Sequence, residues 1–513
     1  MTESGADFSI EDEPQLVAPV APKRRRRWLR IGAPLGAVVL VAGGIAAAQL
    51  AGKLSGTATP GLASALPAKT IAFAQVNLDP SAGQKLAMYD IANKFPEVKD
   101  KVSKDDPAGS LINSLIAPDG SDSSLSWNKI KEWAGVRIGA ALLTTGGGQP
   151  YPLIAIQLKD EKKAKDGLAK LAQDTSSDPI VYEIKDGYAY ASTTQADLDD
   201  ALKDLAANGA LSKTSGYASA ADTVGDGDIL GGYANLAELQ PLAKTYLSGN
   251  GLQSLFDVTE ASGISTPEVD TTQLDHALAE LTGEVSFDVD LNGGGGRLNV
   301  DIYDQKQTGS LAGSVSGITA LPADSVLALD LRGLGKSYQK QWSTIGPQLM
   351  TFAGQIFDGT DIKLPDDLSA VLGDDIAFSL NGDADAPDIG AVVTGGDADR
   401  AKRVIEELID KYGDGTQEPV GVYGSGSTFT VATSSSYAAE LSKGGSSLGS
   451  TSLFRSAVPD AADAQFAMYA NVQELLKFAG SEPSGDAAMI AAVGMTERLT
   501  SSGVHVELNL VLN

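Results

Sequence analysis

Histidine and cysteine are the side chains that most often activate a substrate or bind a metal, and this chain uses them sparingly. It has two histidines, His276 and His505, and no cysteine. His505 lies between Val504 and Val506 in a strand-like stretch, and His276 lies in an amphipathic stretch. Neither has a second histidine at metal-binding spacing, so we interpret both as surface or rim residues.

The missing cysteines remove several kinds of chemistry at once. There is no thiolate nucleophile, no Cys-ligated zinc or iron–sulfur site, and no disulfide. No S-x-x-K is followed by the motifs that accompany a serine–lysine site. We therefore predict no catalytic residue, no cofactor-binding residue and no metal ligand, and we expect the protein not to be an enzyme.

The stretch GLGKS, from Gly333 to Ser337, resembles the end of a phosphate-binding P-loop between a strand and a helix. A P-loop needs a further glycine five residues before Gly335, so that the chain can curl around the phosphates. Asp330 occupies that position, and its carboxylate would repel them. We interpret the stretch as a plain strand-to-helix turn.

Two acidic stretches, 381–388 and 222–229, resemble calcium loops. An EF-hand requires glycine at its sixth position and glutamate at its twelfth. Counted from Asp383 these positions hold Asp388 and Thr394, so we interpret 381–388 as a hairpin turn and leave weak calcium binding open. Trp127 and Trp133 could stack on sugar rings, but six residues apart they share a helix face poorly, and we expect at least one in the core.

The elements that would position any such site begin with a predicted export signal, in which a basic flank precedes an apolar run. Residues 31–50 carry no charge, and a helix of this length spans about 30 Å, the thickness of a bilayer core. Six lysine and arginine residues precede the run between 23 and 30, which predicts a cytoplasmic N-terminus and an extracytoplasmic body. We predict a retained transmembrane helix within 23–50; cleavage as a signal peptide after Ala46–Ala48 is the alternative.

The flanking segments have compositions typical of disorder. Residues 1–22 are acidic and poor in large apolar residues, which predicts a disordered cytoplasmic tail. Residues 51–65 are small and polar, which predicts a flexible linker. The formal net charge is −27, which disfavours nucleic acid and anionic headgroups as partners.

The remainder reads as two diverged copies of one unit, 66–305 and 306–513. Segments of the first recur in the same order in the second, among them LPAKTIAFAQVNL at 66–78 with LPADSVLALDLRG at 321–333, and DILGGYANLAEL at 228–239 with AQFAMYANVQEL at 464–475. Recurrence in a fixed order indicates an internal duplication. Each copy predicts a strand, hairpins with glycine- or aspartate-rich turns, crossing helices and a closing strand pair. We thus expect an α+β fold, with a mostly antiparallel sheet and helices packed on one of its faces.

Three motifs carry a family resemblance over roughly residues 60–513. They are the opening LPA-x-[TS] strand, the W-A-G or V-L-G turn before the first hairpin, and the Tyr-Ala-Asn segment. In these the chain resembles the bacterial membrane-anchored proteins of domain-of-unknown-function family 3352. The resemblance implies an envelope location and supplies no catalytic residues.

Location and architecture are therefore clearer than activity. We expect a single-pass, membrane-anchored extracytoplasmic protein that binds or scaffolds in the cell envelope without catalysis. Its expected partners are the membrane itself and an envelope protein, lipid or wall component. An envelope hydrolase with a dispersed site is the alternative, and convergence of acids, a histidine and a hydroxyl in one cleft would favour it.

Overall fold

The structure is a computed structural model that describes most of the predicted extracytoplasmic part. Apart from single positions, the described stretches are 61–95, 127–174, 180–220, 229–246, 282–303, 317–340, 359–384, 386–412, 420–443 and 447–513. The predicted tail 1–22 and the predicted membrane segment 23–50 lie outside them. Within these stretches no helix is both long and apolar enough to cross a bilayer.

Sixteen strands form a single sheet, and they divide into two sets of eight. The set that we call the first half is β1 Ala72–Asn77, β2 Ala134–Thr144, β3 Pro150–Leu158, β4 Val181–Lys185, β5 Tyr188–Ser192, β6 Leu230–Asn235, β7 Glu284–Asn292 and β8 Gly295–Tyr303. The second half is β9 Leu327–Arg332, β10 Asp375–Asp383, β11 Ala386–Thr394, β12 Gly421–Ser425, β13 Thr428–Ala432, β14 Phe466–Asn471, β15 Ile490–Leu499 and β16 Gly503–Leu512.

The two halves have the same strand order and meet at one strand pair. The order is β12-β13-β11-β10-β9-β14-β15-β16-β8-β7-β6-β1-β2-β3-β5-β4, so the second half repeats the first with each strand number raised by eight. The closing strands β8 and β16 pair antiparallel along their length, from Gly503 opposite Tyr303 to Val511 opposite Gly295. The predicted α+β fold with an antiparallel sheet is confirmed.

Helices connect the strands and pack against the sheet. In the first half they are α1 Ala82–Lys94, α2 Trp127–Ile130, α3 Glu161–Asp174, α4 Gln195–Asn208, α5 Ser215–Ala220 and α6 Leu236–Tyr246. In the second half they are α7 Asp366–Leu372, α8 Ala398–Tyr412, α9 Ser435–Lys443, α10 Ser452–Ala457 and α11 Val472–Phe478. The asparagine of each Tyr-Ala-Asn segment caps the following helix: Asn235 accepts from the backbone N–H of Glu238 at 3.1 Å, and Asn471 from that of Glu474 at 3.2 Å.

Helices cover both faces of the sheet, which corrects the expectation that they pack on one. Phe73 and Ala74 are neighbours in β1 and therefore point to opposite faces. Phe73 belongs to a core with Leu198 of α4, whereas Ala74 belongs to a core with Met88 and Ile91 of α1. β1 places apolar residues on both faces, Phe73 on one and Ala72, Ala74 and Val76 on the other, as strands buried on both faces do.

The predicted linker 51–65 also needs a correction at its end. Leu62 and Ala65, in and beside a short 3-10 helix at Leu62–Ser64, are buried in the first-half core. The backbone N–H of Leu62 donates to Oε1 of Gln75 in β1 at 2.9 Å, which fixes this segment to the sheet. Small residues predict a flexible chain, but the buried side chain and the backbone hydrogen bond of Leu62 fix this part of the segment.

The segment between α10 and β14 forms a wall above the sheet beside the β8–β16 junction. It includes a 3-10 helix at Ala461–Asp463 and crosses one sheet face. Its close approach depends on Gly494 in β15, since a Cβ there would overlap the carbonyl oxygen of Ala457 and lie 2.8 Å from Cγ2 of Val458. Nδ2 of Asn509 in β16 donates to that same carbonyl at 3.0 Å.

Candidate functional site

A polar cleft of about 550 Å³ opens where the ends of neighbouring strands meet beside the junction of the halves. The first half contributes one residue from β8, and the second half contributes residues from β9, β15, β16 and the segment before β14. The polar side chains among the lining residues are Asp301, Arg332, Asp463, Gln465, Arg498, Thr500 and His505. The cleft therefore depends on both halves being joined in one sheet.

Strand register explains why the charged residues of the cleft share one face. His505 lies opposite Asp301 on one side and opposite Arg498 on the other. Residues directly opposite in an antiparallel pair project to the same face, about 5 Å apart. Asp330 lies opposite Ala467 in β14, and Ala467 lies opposite Thr496, two residues before Arg498 in β15. Arg332 is two residues after Asp330 and therefore projects to the same face as Arg498. These side chains form the floor of the cleft.

A histidine–carboxylate pair joins the halves at one end of this floor. Nδ1 of His505 and Oδ1 of Asp301 are 2.9 Å apart, and the two side chains are 17% and 14% exposed. A carboxylate at Nδ1 favours the tautomer with its proton on Nδ1, which leaves the Nε2 lone pair available as an acceptor.

Arg332 and Arg498, on the floor of the cleft, each contact the wall segment. Arg498 pairs through Nη1 with Oδ2 of Asp460 at 3.1 Å. Arg332 donates through Nη2 to the carbonyl of Ala462 at 3.0 Å. The side chain of Arg332 is 7% exposed, and its buried Nε has no hydrogen-bond partner among the described residues; Oδ2 of Asp330 is 4.0 Å away. A guanidinium has five N–H donors, so both arginines retain donor capacity toward the cleft.

Carboxylates outnumber cations around the cleft. Two guanidiniums are accompanied by four carboxylates, so with His505 neutral the formal charge of this group is −2; the carboxylates are Asp301, Asp330, Asp460 and Asp463. Asp463 stands on the wall and is exposed. Among the described side chains none forms a hydrogen bond or ion pair with it. The cleft thus presents cations on its floor and a carboxylate on its wall.

The first half has different polar residues at the strand positions that match the cleft floor. Matching strand positions places Arg297 where the second half has His505, and Asp290 where it has Arg498. Asp290 is 3% exposed and lies opposite Arg297, whose Nε is 3.4 Å from Oδ1 of Asn509. The matching strand positions of the first half therefore carry a different charge pattern from the cleft floor of the second half.

The tyrosines with raised pKa values are buried residues that do not line this cleft. Burial raises the pKa of Tyr437 and of Tyr469 to about 12, and each is packed in the second-half core. Tyr190 and Tyr233 are displaced in the same direction by burial in the first-half core. These shifts follow from packing and mark no catalytic group.

The residues considered from sequence are dispersed over the fold. GLGKS is the predicted strand-to-helix turn: β9 ends at Arg332, Gly333 has a φ of 69°, and 334–340 is helical. Residues 381–388 form the β10–β11 hairpin, with Asn381 opposite Asp388, as predicted. Trp133 is 4% exposed in a core. His276 and all but the last residue of 222–229 lie outside the described residues.

His505, which the sequence predicts to be a surface or rim residue, lies at the cleft. Its partners Asp301 and Arg498 were missed, although a hairpin register across the Ser501–Ser502–Gly503 turn would have set Arg498 opposite His505. Asp301 could not be found in this way, because it lies more than 200 positions away and its pairing depends on the β8–β16 junction. Within the described residues no group of three or more histidine, cysteine or acidic side chains is arranged to hold a metal ion.

Comparisons with known proteins give no identity for the chain. No protein-family model matches it. No curated protein matches it. No solved structure matches it either. The resemblance to family 3352 stays a prediction from its three motifs.

Proposed function

We propose that this chain is a single-pass, membrane-anchored extracytoplasmic binding module of the bacterial cell envelope. The anchor is the uncharged run 31–50 behind its basic flank, which favours a cytoplasmic N-terminus. The body is two diverged copies of one unit, a proposal supported by the shared strand order of the halves. The partners are the membrane and an envelope protein, lipid or wall component, and the acidic body disfavours nucleic acid.

The cleft at the junction of the halves is the observation that carries the binding role. It has a volume typical of small-ligand sites, and its polar groups converge from both halves. Hydroxyl chemistry has little support there. Thr500 uses its hydroxyl within its own turn, accepting from the N–H of Gly503 at 3.1 Å. Ser286 lies opposite Asp301 but is fully buried.

The location is tested by single cysteines, because the chain has none of its own. Ser4→Cys and Gly147→Cys are expressed separately and treated in intact cells with a membrane-impermeant maleimide. The proposal predicts labelling at 147 and none at 4 until the membrane is opened. Labelling at position 4 in intact cells would reverse the topology, and loss of position 4 from the mature chain would show cleavage.

The binding role is tested by in vivo crosslinking of the extracytoplasmic part, followed by mass spectrometry. Wild type should recover one reproducible envelope component, and Arg498→Glu should reduce that recovery, because it reverses the charge on the cleft floor. Arg455→Glu, an exposed arginine on α10, is the matched control and should leave recovery unchanged. Recovery of no specific component would sink the proposal.

A hydrolase is the second candidate, and the His505–Asp301 pair favours it, since such pairs orient a general base. An acid, a histidine and the Thr500 hydroxyl do share the cleft. The two functions separate by turnover. A hydrolase should convert the captured component, and both His505→Gln and Thr500→Val should remove conversion while capture persists. The binding role predicts capture without conversion in all three proteins.

A further inference from the structure

The floor and the wall of the cleft offer opposite charges. Arg332 and Arg498 rise from β9 and β15, whereas Asp463 stands on the 3-10 helix of the wall. Each arginine gives one hydrogen bond or ion pair to the wall segment and keeps further N–H donors. A ligand that satisfies the floor must supply acceptors, and one that satisfies Asp463 must supply a cation or donors.

A simple anion fits this arrangement poorly. The arginines favour a carboxylate or phosphate, because a guanidinium matches their planar pairs of oxygens. The formal charge of −2 around the cleft nevertheless opposes a ligand that brings negative charge alone. A ligand whose own positive group faces Asp463 removes that opposition.

We propose that the cleft binds a small zwitterion, with its oxyacid group at Arg332 and Arg498 and its ammonium group at Asp463. This inference rests on the proposed binding function and names the class of ligand for that cleft. A short free peptide with both termini charged is a member of this class. A cleft of about 550 Å³ has room for a peptide of a few residues.

At the strand positions that match the cleft floor, the first half has a different charge pattern. At the place of Arg498 it has Asp290, opposite Arg297 on the neighbouring strand. Nε of Arg297 lies 3.6 Å from Oε1 of Glu507, and Asp290 is 3% exposed. Arg498, which would contact the oxyacid group, is thus matched in the first half by an acidic residue, Asp290.

The test uses three peptides that differ only in their terminal charges. Glycylglycine carries both charges at pH 7, N-acetylglycylglycine carries only the carboxylate, and glycylglycine amide carries only the ammonium. Each is titrated by calorimetry into the full chain in detergent micelles. We expect glycylglycine to bind at least about tenfold more tightly than either singly charged peptide, or about 1.4 kcal/mol.

Asp463→Asn is the informative variant, and Asp486→Asn is its control. Both aspartates are exposed and lie in the first turn of a 3-10 helix of the second half, but only Asp463 lines the cleft. Asp463→Asn should weaken glycylglycine about tenfold and leave N-acetylglycylglycine no weaker. Asp486→Asn should change neither.

The inference would be overturned by equal affinity for the three peptides, or by glycylglycine binding that is the same in Asp463→Asn and wild type. Absence of binding by all three would overturn it as well. In each case recovery of an envelope component that depends on Arg498 would leave the binding function standing. Peptide binding by the cleft without recovery of any envelope component would support the zwitterion site and contradict the proposed envelope-binding function.

Discussion

Gly494 is the residue on which the wall of the cleft most depends, and replacing it should be costly. An added Cβ would overlap the carbonyl oxygen of Ala457 and come within 2.8 Å of Cγ2 of Val458. Backbone cannot rotate away as a side chain can, so α10 and the segment after it must shift. Overpacking of this kind costs about 1–3 kcal/mol. Loss of the buried hydrogen bond from Asn509 to Ala457 adds about 1 kcal/mol or more.

Gly494→Ala is therefore expected to lower the free energy of unfolding by about 3 kcal/mol, measured by urea denaturation of the full chain in micelles. Gly147→Ala is the control, because its new Cβ would meet only Oγ1 of Thr145 at 3.8 Å. It should stay within about 0.5 kcal/mol of wild type. The same Gly494 variant should lose capture of the envelope component. Equal stability of the two variants would refute the close approach of α10 to β15.

Three further predictions concern stability. Burial alone would raise the pKa of Asp367, but the hydrogen bond from Arg403, the backbone N–H of Lys363 and nearby guanidinium charge outweigh burial and lower that pKa. Asp367→Asn should therefore lower the free energy of unfolding by about 2 kcal/mol at pH 7. In urea titrations at several pH values, the difference from wild type should vanish as pH falls below about 4 and through the lowered pKa of the folded state. Burial raises the pKa of Tyr437 and Tyr469 to about 12, so the unfolded chain loses these protons at lower pH than the folded chain. Each tyrosine should therefore lower the free energy of unfolding by up to about 1.4 kcal/mol per pH unit between about pH 10 and 12. Phenylalanine at either position should make this loss smaller. Asn471→Ala should cost about 1 kcal/mol by thermal or urea unfolding, whereas Asn471→Asp should cost little, because it keeps the capping oxygen.

Much of the fold follows from local signals in the sequence. The hairpin at Asp186–Gly187, the turn at Gly333 and the two asparagine caps each depend on a few adjacent residues, and each has the structure that those residues favour. The helices on the second face were missed for a physical reason. Alternation separates the faces of a strand only when one face is polar, and β1 has apolar residues on both of its faces.

The cleft was harder to predict, because it arises from pairing over long distances. His505 was visible as one of two histidines, but its meaning depends on Asp301 in another half of the chain. Arg332 and Arg498 reach the same cleft because β14 pairs with both β9 and β15. A single sequence shows neither neighbour, since strand order across the sheet is decided by the packing of the whole unit.

The claim that the cleft is the binding site can be tested by site-specific photo-crosslinking in cells. A photoreactive residue is placed at Ala462, which is exposed on the wall of the cleft, or at Gly147, which is exposed in the β2–β3 turn of the first half. Both proteins keep the cleft arginines, and both are analysed by mass spectrometry for the attached envelope component. We predict a reproducible adduct from position 462 that Arg498→Glu removes, and none from position 147. An adduct from 147 alone, or one from 462 that persists in Arg498→Glu, would contradict the assignment of binding to the cleft.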